Sequence, residues 1–176
     1  MKEDFVLQRV ARFHLVSLDQ FQMDMRKHFP EMDSHEIQDI YENIQLPKRA
    51  TTGSAGYDFF APIDIVLKAN ETILIPTGIR VAMVPGWVLK CYPRSGLGFK
   101  YRMQLNNTVG IIDGDYFNAD NEGHILVKVT NDSNEDKVLH IKCGEGFIQG
   151  IFIEYGIAYD DEVEGLRTGG LGSTTV

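Results

Sequence analysis

From residue 46 onward the chain consists of short apolar runs, each closed within a few residues by Gly, Pro, Asn or Asp. Examples are TILIP, GIRVAMV, GWVLKCY, GHILVKVTN, KVLHIK and GFIQGIFIEY. Runs of this length that are bounded by turn residues predict many short strands, as in a sandwich or a barrel. We therefore expect an all-β core over residues 46–154.

The residues before this core follow a helical pattern after one strand-like stretch, RVARFHLV. Ser17 and Gln20 have the spacing of a capping box, and apolar residues recur behind them at helical spacing. Asp33 and Glu36 repeat the capping pattern ahead of a second apolar face. Residues 1–45 are therefore predicted to hold a strand and a two-helix insertion packed on the core. Binding of another protein is the alternative role for these helices.

Residues 155–176 differ in composition from the core. The segment EYGIAYDDEVEGL is acidic and has little to bury, so it is predicted to be a solvated tether. The chain then ends in RTGGLGSTTV, where glycines free backbone amides beside hydroxyls and one arginine. Such groups bind phosphate, although phosphate loops ordinarily lie between a strand and a helix. We predict a mobile glycine-rich tail within one single domain.

Composition excludes several classes of protein. A chain of 176 residues with 43% hydrophobic content supports one buried core and is short for two domains. The net charge of 17 − 25 = −8 argues against nucleic acid as a partner. No segment approaches the length of a membrane span, and the N-terminus lacks the pattern of a signal peptide, so a cytoplasmic protein is expected. Cys91 and Cys143 lie in apolar stretches and are predicted to be reduced core residues.

Charge is unevenly distributed along the chain. Between Thr72 and Ile112 there is no Asp or Glu, and an ordinary solvated face or a local anion-binding field would both explain this. The basic residues of this segment are Arg80, Lys90, Arg94, Lys100 and Arg102.

Four stretches carry polar residues at turns or inside an apolar strand. GSAGYDFFA places Asp58 after a small-residue turn, where turn capping is the simple interpretation. YPRSGLG combines a cation, a hydroxyl and exposed amides, in either a plain loop or a phosphate-facing turn. NNTVGIIDGDY places Asp113 after two isoleucines, which a hairpin with Asp-Gly at its turn would explain. EGFIQGIF buries Gln149 among apolar residues, which is costly unless its amide has partners.

Taken in order, AGYD, PRSGLG, NNTVGIIDGDY, the strand with Gln149 and the terminal RTGGLGST resemble the five motifs of the trimeric dUTP pyrophosphatases (dUTPases). The resemblance covers about residues 46–176 and is greatest to the Gram-positive bacterial and phage type. It implies a jelly-roll-like β-barrel and a homotrimer in which three chains share each site. It also implies Mg²⁺-dependent hydrolysis of dUTP to dUMP and pyrophosphate, which lowers dUTP and supplies dUMP for dTMP synthesis.

The resemblance assigns the reacting and base-reading groups residue by residue. Asp113 matches the aspartate that orients the water attacking the α-phosphorus in line, and Asp58 matches the aspartate that binds Mg²⁺ through water. Gln149 matches a glutamine near the metal-bound waters and phosphates. Asn107 matches the asparagine of a uracil-reading hairpin, and Tyr116 the tyrosine that packs against deoxyribose and excludes a 2′-hydroxyl.

The remaining matched positions hold the phosphates and cover the base. They are Arg94, Ser95 and Gly96 in the second motif, Gly110 in the hairpin, and Arg167, Gly170, Leu171, Gly172, Ser173 and Thr174 in the tail that closes over the γ-phosphate. Three features depart from the family pattern, of which the first is the helical insertion over residues 17–45. Leu171 stands where the family usually has an aromatic residue that stacks on uracil, and FNADNE lengthens a turn after Tyr116 that is usually compact.

Two alternatives remain open at this point. A dCTP deaminase, or a bifunctional deaminase and dUTPase, shares the implied fold but needs an acid/base carboxylate beside the base, for which Glu122 is the nearby candidate. A dUTPase-fold regulator that binds a protein partner is the other. The intact Asp58, Arg94 and Asp113 favour retained hydrolysis.

Overall fold

A computed structural model describes residues 7–163, 165, 167, 169 and 170 of the chain. One strand and two helices precede a series of short strands, interrupted by a third helix and by a 3₁₀-helix over Gly114–Asn118. In chain order the other elements are β1 Ala11–Leu15, α1 Leu18–His28, α2 Ser34–Glu42, β2 Lys48–Arg49, β3 Tyr57–Phe60, β4 Ile65–Leu67, β5 Thr72–Pro76, β6 Ile79–Met83, β7 Trp87–Pro93, α3 Ser95–Tyr101, β8 Met103–Leu105, β9 Gly110–Ile112, β10 Leu126–Asn131, β11 Leu139–Ile141 and β12 Gly146–Glu154.

Among the described residues the strands form four antiparallel sheets around one core. The largest has the order β2-β3-β12-β7-β9, and the three-stranded sheet has the order β5-β10-β8. Two pairs, β1-β6 and β4-β11, complete the set. Neighbours in these sheets are mostly distant in sequence, as is typical of sandwiches and jelly rolls. The all-β architecture expected from the apolar runs is confirmed.

The two N-terminal helices contribute to the same core as the strands. Phe21 and Met25 of α1 and Ile37 of α2 are fully buried and pack in one cluster with Phe59 and Phe147 of the sheets. The predicted apolar faces of both helices therefore pack against the barrel. Burial of such a face supplies most of the stability of a short helix.

Local capping explains where both helices begin. The Ser17 hydroxyl accepts a hydrogen bond from the Gln20 backbone amide at 3.1 Å, and Asp33 accepts from the amides of His35 and Glu36 at 2.9 Å. The Ser17 capping box is only half formed, however. The Gln20 side chain turns inward to Asp24 and leaves the Ser17 amide to a carboxylate from a distant loop.

Two predictions about local structure were wrong in part. Cys91 is buried as predicted, and burial raises the pKa of its thiol to about 12. Cys143 is exposed instead of buried in the core, and its thiol donates to the Pro62 carbonyl. The two strands that flank Asn107 do not pair with each other as in a hairpin, since β8 joins β10 and β9 joins β7.

The acid-free segment acquires acidic partners from elsewhere in the chain. Arg80 lies 3.5 Å from Glu122, and Arg102 pairs with Asp132 at 2.9 Å. These acidic partners partly neutralise the positive charge that the sequence suggested for this segment. No helix within the described residues is long and apolar enough to cross a membrane.

Candidate active site

One group of the expected site residues lies on the five-stranded sheet, and we call it the phosphate half. Asp58 on β3 is directly opposite Gln149 on the neighbouring β12, and Arg94 follows the end of β7 on the other side of β12. The Arg94 Nε lies 3.2 Å from Asp58 Oδ1. Strand register therefore brings the first, second and fourth motifs together.

Two glycines make room for the side chains of the phosphate half. A Cβ at Gly146 would lie 2.8 Å from Nη1 of Arg94, whose guanidinium also donates to the Gly146 carbonyl at 3.3 Å. A Cβ at Gly56 would lie 2.6 Å from Oε1 of Gln149. The Gln149 amide donates to the Pro93 carbonyl at 3.4 Å, which partly answers the cost of placing it among apolar residues. Sequence reasoning gave neither glycine a role, although Gly56 lies within AGYD and Gly146 within EGFIQGIF.

Ser95 and Gly96 occupy the first turn of α3, where the sequence predicted only a turn. Arg94 is the N-cap residue and makes no side-chain capping bond. The Leu97 and Gly98 amides donate to the Arg94 carbonyl, whereas the amides of the first two residues of a helix have no intrahelical acceptor. With Glu145 and Gly146, residues 94–96 line an open depression at the surface.

A second group, which we call the sugar half, lies around the 3₁₀-helix. Asp113 is its N-cap residue and makes no capping bond with its side chain. The Arg167 guanidinium donates to Asp113 at 2.9 Å and to Asp115 at 3.2 Å, and it lies 5.0 Å from the centre of the Tyr116 ring. The pairing of Arg167 with Asp115 is a contact that sequence reasoning did not foresee.

Tyr116 is held in place by hydrogen bonds at its hydroxyl. This residue is 4% exposed, and its hydroxyl donates to the His124 carbonyl at 2.8 Å and accepts from Asn121 Nδ2 at 2.8 Å. Burial raises the pKa of Tyr116 above its ordinary value, so the phenol remains a neutral donor. The ring can therefore serve as a fixed wall beside a ligand.

The base-reading positions precede Asp113 in the chain. Asn107 is exposed in the turn between β8 and β9, where Thr108 has a φ of +65°. Gly110 pairs with Cys91, and a Cβ there would lie 3.1 Å from the Cys91 Cβ. A larger residue at 110 would therefore push β9 away from β7.

Within one chain the two halves lie at different positions along β7. Ile112, which precedes Asp113, pairs with Leu89 on β7. Arg94 comes five residues after Leu89, just past the C-terminal end of β7. At a rise of ~3.3 Å per residue, Leu89 and Arg94 are about 17 Å apart along the strand direction. The structure thus groups Asp58, Arg94 and Gln149, and separately Asp113, Tyr116 and Arg167, but does not join the groups.

Part of the expected tail contact lies outside the described residues, namely Leu171, Gly172, Ser173 and Thr174. Gly170 is described, and a Cβ there would lie 3.4 Å from the side chain of Asn121. The last described part of the tail therefore lies against the segment that follows Tyr116.

Comparison with known proteins shows which family the chain belongs to. The family model of dUTPase matches residues 42–174. The chain belongs to the dUTPase family. It is 42% identical over 144 residues to the deoxyuridine 5′-triphosphate nucleotidohydrolase of Lactococcus lactis, a match that covers 79% of this chain and 95% of that protein. The jelly-roll-like dUTPase fold expected from the motifs is confirmed.

Solved dUTPase structures have the same fold. The dUTPase from Streptococcus mutans is 33% identical with a TM-score of 0.60, covering 83% of this chain and 97% of that one. A mutant dUTPase from phage phi11 of S. aureus, described as coordinating a structural Mg(II) ion, has a TM-score of 0.61. It is 19% identical and covers 89% of this chain and 98% of that one, so it supports the fold alone.

The donor set of the phosphate half can be tested against Mg²⁺. Among the described residues no group of three or more His, Cys, Asp or Glu is placed to hold a metal. Asp58 offers one carboxylate, 19% exposed, with the Gln149 amide on the paired strand. One hard oxygen ligand with room for water suits Mg²⁺, which keeps its water shell and binds substrate phosphates rather than a full protein cage.

Proposed function

We propose that this chain hydrolyses dUTP to dUMP and pyrophosphate by attack of water on the α-phosphorus. The observation that carries the proposal is Asp113, which follows β9 with a carboxylate that is 53% exposed and, within the described part of the chain, is engaged only by Arg167. Such a group can hold a water and take its proton while the bond to phosphorus forms. Membership of the dUTPase family supports dUTP as the substrate.

Cationic residues from both halves supply the positive charge that this reaction requires. Arg94 and the first two backbone amides of α3 would bind the phosphate chain, and Arg167 would exchange its two carboxylates for the γ-phosphate. Charge placed where it develops on the phosphates lowers the barrier. Mg²⁺, held through water by Asp58 beside Gln149, would supply further neutralisation of the triphosphate when bound.

Selectivity for dUTP follows from the walls of the sugar half. The buried Tyr116 ring, fixed at its hydroxyl, would leave no room for a ribose 2′-hydroxyl. Asn107 and the backbone near Gly110 would hydrogen-bond uracil and reject cytosine. A site that is built to pair with one set of polar groups discriminates strongly against a ligand that lacks them.

We infer that a complete site needs more than one copy of the chain. A separation of about 17 Å along β7, between the position opposite Ile112 and Arg94, favours a site in which Asp113 and Arg94 come from different chains. A homotrimer in which one chain supplies the phosphate half and a neighbour supplies the sugar half resolves this separation. Because Arg167 of the tail lies on Asp113 of its own chain, we propose two contributing chains for each site instead of the three expected from the motifs. Because dUTP belongs to the cellular nucleotide pool, we expect the enzyme to act in the cytoplasm.

The deaminase alternative depends on Glu122, and its contacts disfavour that role. The Glu122 carboxylate accepts from the Ser17 amide at 2.7 Å and from the Ser17 hydroxyl at 2.6 Å, and lies 3.5 Å from Arg80. Burial alone would raise the pKa of Glu122, but these partners outweigh it and leave the pKa below its ordinary value. A carboxylate committed in this way is a poor proton shuttle.

The test is a substrate panel of dUTP, dCTP, dTTP and UTP, each with and without Mg²⁺, analysed for pyrophosphate and for the base of the product. We expect rapid release of pyrophosphate from dUTP alone, with dUMP as the other product and with a requirement for Mg²⁺. A uracil nucleotide formed from dCTP would contradict the proposal and favour the deaminase.

A further inference from the structure

A buried polar cluster joins the helical insertion to the barrel. Asp24 of α1 accepts hydrogen bonds from Gln20 at 2.8 Å and from His124 Nδ1 at 2.6 Å. His124 is fully buried, and its Nε2 accepts from the Gly78 amide at 2.8 Å, so the proton must be on Nδ1. The Asp24 carboxylate and both ring nitrogens of His124 are therefore hydrogen-bonded. These bonds connect three segments, which are α1, the backbone at Gly78 and the loop that contains His124.

A second contact joins the insertion to the same loop, residues 119–124. Glu122 receives both the amide and the hydroxyl of Ser17, the residue that begins α1. Glu122 itself has a φ of +57°, an unfavourable conformation that surrounding contacts must maintain. The loop is therefore held to α1 at two points, through Glu122 and through His124.

The same loop carries the groups that fix Tyr116. The Tyr116 hydroxyl donates to the backbone carbonyl of His124, the residue whose ring is held by Asp24. Asn121, also in the loop, donates to that hydroxyl. Gly123 packs so closely that a Cβ there would lie 2.4 Å from the Tyr116 carbonyl oxygen. The position of the Tyr116 ring is thus coupled to the position of α1.

We propose that Asp24 and His124 are positioning residues that set the discrimination between deoxyribose and ribose, by holding the loop that holds Tyr116. The inference rests on the proposed function, because it needs the Tyr116 ring to face the sugar. It gives the insertion a role in substrate selection in addition to burial of apolar surface. The coupling runs from Asp24 through the His124 ring and its carbonyl to the Tyr116 hydroxyl.

Burial makes this arrangement sensitive to loss of one member. Burial alone would raise the pKa of Asp24, but hydrogen bonds from His124 and Gln20 outweigh it, and the pKa lies below its ordinary value. Removing the carboxylate leaves the His124 N–H without an acceptor in a fully buried position. The loop must then move to rehydrate that group, since an unpaired buried donor is costly.

The experiment measures kcat/KM for dUTP and for UTP, and the melting temperature, in full-length variants. Asp24→Ala should lower the dUTP/UTP ratio by about tenfold, because a displaced Tyr116 admits the 2′-hydroxyl. Asp24→Asn should retain most of the ratio, since its amide oxygen can still accept from His124. The matched control is Ile37→Ala, which removes fully buried apolar volume from α2 without touching the polar cluster and should lower the melting temperature but not the ratio.

The outcomes separate this inference from the proposed function. If Asp24→Ala and Ile37→Ala both keep the wild-type dUTP/UTP ratio while Tyr116→Ala lowers it, the positioning role is wrong and the proposed function stands. If Tyr116→Ala also leaves the ratio unchanged, the sugar-reading role of Tyr116 and the positioning role are both wrong, and the proposed hydrolysis of dUTP is decided by the substrate panel alone. Should Asp24→Ala fail to fold, Ser17→Ala removes the exposed hydroxyl contact to Glu122 and must shift the ratio in the same direction. A Ser17→Ala ratio equal to wild type would then overturn the proposal.

Discussion

The two halves of the site are built in different ways. In the phosphate half, Asp58, Gln149 and Arg94 are placed by the antiparallel register of β3, β12 and β7, so main-chain hydrogen bonds set their spacing. In the sugar half, Asp113 and Tyr116 lie at a 3₁₀-helix and are held by groups from a loop and the tail.

This difference predicts how each half responds to substitution. A strand ladder distributes its stability over many backbone bonds, so a local change in the phosphate half should move one side chain. A network of buried side-chain hydrogen bonds transmits a change, because each unpaired group must find a new partner. Substitutions in the sugar half should therefore affect stability and selectivity together.

The largest effect is expected at Asp113, whose carboxylate is the proposed acceptor of the proton from water. Asp113→Asn keeps the shape but cannot take the proton, so kcat should fall by about 10²–10⁴-fold, with dUTP affinity retained. Single-turnover kinetics and equilibrium binding of dUTP test the two parts separately. Near-normal turnover in this variant would remove Asp113 from the reaction.

Gly123 tests the sensitivity of the sugar half. It has a φ of +69°, and a Cβ there would lie 2.4 Å from the Tyr116 carbonyl oxygen and 2.8 Å from the Phe117 Cα, both backbone atoms. Gly123→Ala should reduce the free energy of unfolding by about 2–4 kcal/mol, from left-handed strain and overpacking together. Chemical denaturation measures this, and a loss below ~1 kcal/mol would contradict the rigid loop.

Gly146 gives the matching test in the phosphate half. Its added Cβ would meet the end of a flexible side chain, Arg94 Nη1, at 2.8 Å. Gly146→Ala should therefore lower kcat/KM for dUTP about tenfold by displacing Arg94, while the free energy of unfolding changes by under ~1 kcal/mol. Gly53→Ala, where a Cβ meets no described atom within 4 Å, is the control. Destabilisation at Gly146 as large as at Gly123 would erase the difference between the halves.

The smallest effect is a pH dependence of stability that comes from Asp24. Its folded-state pKa lies below the ordinary value because hydrogen bonds from His124 and Gln20 outweigh the effect of burial. The stabilisation is thus fully present above the unfolded-state pKa of about 3.9 and is lost as the pH falls through the folded-state pKa. Comparing unfolding of wild type and Asp24→Asn from about pH 6 to about pH 3 should show a shallower acid slope in the variant. Parallel slopes would contradict the charged state assigned to Asp24.

The sequence predicted most of what depends on local patterns. Spacing and turn chemistry predict the short strands and the two helices that begin after Ser17 and Asp33. The family motifs predict the site residues on β3, β7 and β12. In the acidic segment, the side chains of Ile157 and Tyr159 are largely exposed.

What sequence reasoning missed depends on contacts between distant residues. The Asp24–His124 and Ser17–Glu122 contacts join positions about a hundred residues apart, and no local pattern marks either partner. His124 in GHILVKVTN belongs to an ordinary apolar run, and only the fold shows that its ring is buried against a carboxylate. The exposure of Cys143 was missed for the same reason, since the turn around it depends on tertiary packing.

The most direct test of the account is complementation between the two halves. Asp113→Asn and Arg94→Ala chains, each inactive alone, are unfolded together, refolded at equal amounts and assayed for dUTP hydrolysis. If a neighbour supplies the sugar half, random assembly gives about a quarter of the sites both intact parts, so about a quarter of wild-type activity should return. Mixed assemblies that form but remain inactive would show that one chain supplies both halves, and would contradict the account.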